Sequence, residues 1–272
     1  MRCPTLWIPS LGLKQVCQKR NHQARCPDGP LDSIIILLVT LGNKWWRVSA
    51  GLILFGISFG YVEASVVVYL RAVYDPIRQS LRPDRPIGEL FPLIRVDQLR
   101  SAAPEKSWLL GVEIARETAT VIMLASVAFV AAAGGSPWLP SFAILFGTWD
   151  LSYYVFLKIL LDWPATIMTL DILFLIPVPW AAPVLAPSIV SMTIIGAGLL
   201  ALSRPIRMLA AHWVAMTLGG ALILMSFMWD YQNLMAGGLP QPFAWKIFAV
   251  GELVGLAAFL HAFRSSKRTP AA

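Results

Sequence analysis

Glu113, Arg116 and Glu117 stand at i, i+3 and i+4 in the stretch WLLGVEIARETATVIML, a spacing that stacks them on one face of a helix. A guanidinium between two carboxylates can hold an anionic group or keep both acids ionised. Two acids against one base leave a carboxylate over, free to act as a general base. These three are the candidate catalytic residues. Their competing role is an interfacial salt-bridged cluster whose long side chains reach the water.

A second constellation lies in residues 142–176, FAILFGTWDLSYYVFLKILLDWPATIMTLDILFLI, where Asp150, Lys158 and Asp171 sit in sequence apolar enough to lie in a bilayer. Asp150, Tyr154 and Lys158 follow an i, i+4, i+8 stripe. The outer two are roughly 12 Å apart along a helix axis, too far to pair, with the Tyr154 hydroxyl between them to donate or accept a proton. Lys158 lies one turn from the helix end and can snorkel, whereas Asp150 has no such escape. Glu63 falls on the same helical face as Gly56 and Gly60, a GxxxG pair that lets another backbone approach, so its carboxylate should face a helix. Asp150, Asp171, Glu63, Tyr154 and Lys158 are the candidates for binding a substrate or an ion.

These side chains need elements that can hold charge in an apolar setting. The chain is 57% hydrophobic and only 14% charged, with a mean hydropathy of +0.66, far from the usage of soluble domains. The expected fold is all-α and integral to the membrane, a polytopic bundle of about seven transmembrane helices. Spans are expected near 48–70, 108–133, 142–161, 164–182, 185–203, 212–229 and 243–263 within a single domain of residues 44–264. The Asp162-Trp163-Pro164 triplet reads as a helix start, and Pro177, Pro179 and Pro183 break the fourth helix near its end. That segment either spans or returns to the side it entered from.

Residues 1–43 carry all three cysteines, matching no CxxC pattern, and an apolar run too short to span. They form a disordered or dispensable extension. Residues 71–107, with seven basic residues, five acids and five prolines, make a loop on the membrane surface. In a seven-span count this loop, the Arg204/Arg207 turn and the tail 265–272 share one side, which the Lys/Arg bias assigns to the cytoplasm. The net charge of +7 is therefore topological and does not call for nucleic acid. An inner bacterial membrane is the expected location, and most tryptophans, Trp163 and Trp180 included, fall near span ends as an aromatic belt does.

No cofactor is expected beyond a proton or a monovalent cation. His212 and His261 lack HExxH or ExxH spacing, so no metal is expected, and the absence of a Walker loop argues against a pump with its own ATPase. The partners are the bilayer and either a small solute or a lipophilic substrate. Transport through proton- or cation-linked carboxylates is the leading function, because ionisable residues at membrane depth mark pathways. A membrane-embedded enzyme using Glu/Arg acid-base chemistry on a lipophilic substrate is the alternative, followed by a structural membrane subunit.

Overall fold

The computed structural model describes residues 44–86 and 88–266; the expectations for residues 1–43 and for most of the tail lie outside them. Its helices are α1 (Lys44–Leu81), α2 (Val96–Ala102), α3 (Leu109–Ala133), α4 (Trp138–Leu161), α5 (Leu185–Ser203), α6 (Ala210–Phe227), α7 (Tyr231–Met235) and α8 (Trp245–Ser265). A two-stranded hairpin, β1 (Leu170–Phe174) and β2 (Trp180–Pro183), stands between α4 and α5. Six of these helices, α1, α3, α4, α5, α6 and α8, are long and apolar enough to cross a membrane, which supports a multi-pass membrane protein. Their outward faces agree: Phe129 and Val130 on α3 are 70% and 72% exposed, acceptable against hydrocarbon but costly against water.

Helix α4 is the centre. Gly56 and Gly60 of α1 lie on Thr148 and Ser152 of α4 so closely that a Cβ on Gly56 would sit 2.9 Å from Thr148 Cβ. Ser152 Oγ uses that approach to donate to the Gly56 carbonyl at 3.2 Å. On its other side α4 meets α5 through Gly147 against the Ser191 carbonyl and Gly198 against the Pro140 carbonyl, each 2.7–2.8 Å from a hypothetical Cβ. Helices α6 and α8 form a second close pair through Gly219 and Gly251, where a side chain on either would meet the other's carbonyl at 2.7 Å. The GxxxG pair Gly56/Gly60 thus marks a real helix contact.

The fourth span is the main correction. Residues 164–182 are not helical: Asp162 caps α4 in the left-handed conformation, φ 50°, which aspartate tolerates better than most residues. Beyond it the chain enters the hairpin. Prolines at 164, 177, 179 and 183 remove four amide donors and push the residues before them towards extended backbone, while Thr166, Ile167, Thr169 and Ile172 are β-branched. The strands pair antiparallel, Leu170 with Pro183, Asp171 with Ala182, Ile172 with Ala181 and Phe174 with Trp180. Phe174 stacks on Phe146 and packs at a tilt on Trp149 in the middle of α4, while Val184 packs with Leu157 near its end. The hairpin therefore enters the bundle and returns to the end it came from. Non-helical backbone survives at this depth because protein surrounds it. Trp180, expected in the aromatic belt, is instead internal and packs on Phe174 and Phe227.

One crossing fewer changes the sidedness. Arg204 donates to the Phe263 carbonyl at 2.7 Å and the Arg207 amide to Ser266 Oγ at 2.8 Å, placing that turn beside the end of α8. Val48 and Leu202 pack on one core cluster at the same end. The loop 82–108 sits at the opposite end, where Arg95 reaches Gly237 in the connection from α6 to α8. Basic residues now stand at both ends, so the charge bias no longer sets the orientation. In a chain whose Cys3, Cys17 and Cys26 are replaced by serine, Asp84→Cys and Ser265→Cys should react with an impermeant thiol reagent from opposite sides of the membrane. Labelling of both from one side restores an odd number of crossings and overturns this arrangement.

Candidate functional site

Helix α1 runs eleven residues past the expected span end at Leu70, and that extension builds half of the site. Glu63, Val67, Arg71, Tyr74 and Arg78 share one helical stripe and line a cavity of about 280 Å³ together with residues of α3, α4 and β1. Leu90 and Leu93 of the loop after α1 also line it, so the loop partly covers the mouth.

Helix α3 supplies the triplet that the sequence singled out. The Arg116 guanidinium is forked between two acids, donating from one arm to Glu63 on α1 and from the other side to Glu113, with Nε to Glu113 Oε2 at 2.9 Å. Thr120 Oγ1 donates to the second Glu63 oxygen at 2.9 Å, so both oxygens of this buried carboxylate are satisfied. Glu63 does face a helix. Glu117 accepts the backbone amide of Leu175 at 2.9 Å, closing a donor at the hairpin tip that no strand partner could take.

Helix α4 and the hairpin bring the two aspartates to the same space. Asp150 accepts from Ser191 Oγ of α5 at 2.8 Å. Asp171 accepts from Tyr154 Oη at 3.1 Å and from the Ile172 amide at 2.9 Å. Both line the 280 Å³ cavity with Tyr153 and Tyr154. Neither forms an ion pair among the described residues, where the pairs inside this cavity are Arg78 with Asp75, at 3.0 Å, and Arg116 with Glu63 and Glu113.

Lys158 stands apart from the other candidates. Its ammonium points past the helix end to Asp162 Oδ1 at 2.7 Å and to the Pro164 carbonyl at 3.2 Å, and the hydrogen bond to it holds the exposed Asp162 carboxyl below its usual range. It does not line the cavity.

Arg71, Arg78, Thr120 and Ser191 were not singled out from the sequence. Arg71 lies 5.2 Å from the centre of the Trp163 ring, a cation-π distance. Following the Glu63 stripe onward by helical steps would have reached Arg71 and Arg78. The stretch Gly56-Ile57-Ser58-Phe59-Gly60 has GxSxG spacing, but it lies within α1, where Ser58 Oγ donates to the Leu54 carbonyl, and not on a strand-to-helix elbow. His212 and His261 touch at 2.9 Å, and no cluster of three or more metal-ligating side chains occurs among the described residues.

A second cavity, of about 380 Å³, lies among α4, α5, α6 and α8. The two cavities share Asp150, Leu173 and Phe174, so one aspartate and the inner end of β1 stand between them. Compared with known proteins, the chain matches no family model, no curated protein and no solved structure, and the functional reading rests on this geometry.

Proposed function

We propose that the protein is a transporter or permease whose internal carboxylates exchange a proton or a monovalent cation. The observation that carries this is the placement of Asp150 and Asp171 in one cavity, without an ion-pair partner among the described residues. Six carboxylates line that cavity, Glu63, Asp75, Glu113, Glu117, Asp150 and Asp171, against three guanidiniums, Arg71, Arg78 and Arg116. An excess of negative charge away from water is tolerated only when protons or cations neutralise it. Asp150, shared with the second cavity, is the group through which a change on one side can reach the other.

The enzyme reading loses ground on the same geometry. Its two candidate general bases are both engaged, Glu117 with the Leu175 amide and Glu113 with Arg116, and its clamp, Arg116, is held by two acids. Purified protein in liposomes loaded with a pH-sensitive dye tests the proposal. Adding one member of a panel of amines, organic acids, sugars and amino acids should move protons, or Na⁺ or K⁺, across the membrane in step with the solute. Chemical conversion of a lipophilic substrate, with no coupled ion movement for any solute, supports the enzyme instead.

A further inference from the structure

The second cavity differs in kind from the first. Five aromatic side chains line it, Phe146, Phe174, Trp180, Phe227 and Phe259, yet two carboxylates, Asp150 and Glu252, line the same space and, among the described residues, no Lys, Arg or His does. Ser191 donates to Asp150. Glu252 Oε1, by contrast, is buried and accepts no hydrogen bond among the described residues. An unpaired carboxylate oxygen in apolar surroundings is costly, and a cavity of this size, in the few-hundred-Å³ range of small-molecule sites, leaves room for what would satisfy it.

We infer that this cavity binds an apolar amine in its ammonium form, with the N–H on Glu252 and the hydrocarbon or aryl body among the rings. Three features select that class. A positive charge complements two acids with no competing base. Aromatic faces attract ammonium ions, most strongly where water is excluded. An acyl chain or a neutral solute without a donor would fill the volume and leave Glu252 bare. Trp180, which lines the same cavity, has a buried Nε1 without a partner among the described residues, a donor suited to a polar atom elsewhere on the ligand. As a substrate site this rests on the transport reading, with Asp150 linking bound amine to the carboxylates of the first cavity; as a binding site it stands by itself.

Equilibrium dialysis of the full chain in detergent near neutral pH tests it with three probes of one shape: phenylbutylamine, phenylbutanol and phenylbutyrate. The amine should bind roughly tenfold more tightly than the alcohol, the worth of one charge-assisted hydrogen bond, and the acid should not bind. In Glu252→Gln the tenfold advantage of the amine over the alcohol should disappear, and continued binding of the alcohol shows that the cavity is intact. Equal binding of amine and alcohol to the unaltered protein overturns the inference, a comparison that needs no variant to fold. Amine binding without coupled ion movement removes only the transport reading. Ion-coupled movement of other solutes without amine preference removes only this one.

Discussion

Replacing Arg116 with methionine should destabilise the protein by about 3–5 kcal/mol, the usual cost of removing one partner from a buried ion pair. The guanidinium is the only cation within pairing distance of Glu63 and Glu113 among the described residues, and Glu63 is 7% exposed. Without it, two carboxylates between α1 and α3 lose their counter-charge at once. Thermal unfolding in detergent at neutral pH should show a fall on the order of 10 °C. Adding Glu63→Gln and Glu113→Gln should restore much of the loss, because a neutral cluster carries no uncompensated charge. An Arg116→Met protein as stable as the parent would show that the cluster is hydrated enough to tolerate bare carboxylates.

Much of this arrangement is visible in the residues themselves. The Glu113/Arg116/Glu117 face, the depth of Asp150 and the glycine approach beside Glu63 follow from helical spacing and composition, because each concerns a side chain on a regular element. The hairpin is less legible. Hydropathy measures only that residues 164–182 are apolar, and an apolar run of this kind suits a buried strand pair as well as a helix. The deciding signal is local: four prolines and several β-branched residues, read as a broken helix when they describe a segment that is not helical. Asp171 consequently reaches the cavity by pairing within a strand, and its partner Tyr154 is the same tyrosine that the α4 stripe placed beside Asp150.

The missed half of the site has a different cause. Charges from Arg71 onward look like the end of a span, yet α1 continues to Leu81 with Pro76 inside it, carrying Arg71, Tyr74 and Arg78 along the wall that Glu63 begins. The long aliphatic stems of arginine let such residues extend a helix beyond the hydrocarbon without breaking its face. Glu252 lies in an apolar stretch between Gly251 and Gly255, but nothing in one sequence shows that a cavity opens next to it. That depends on how α4, α5, α6 and α8 pack around it, which is a tertiary property.

The claim on which the functional reading depends is that Asp150 and Asp171 carry the exchanged proton or cation. Asparagine at either position keeps the shape and most hydrogen bonds, including acceptance from Ser191 and Tyr154, but removes the titratable group. The most direct measurement is solute-driven ion movement in liposomes holding equal amounts of unaltered protein, Asp150→Asn, Asp171→Asn and the double variant, each first shown to be as stable as the parent. Coupled movement should fall to the protein-free background in the double variant, with the fold intact. Unchanged, pH-dependent transport by the double variant would contradict a role for these two carboxylates in coupling.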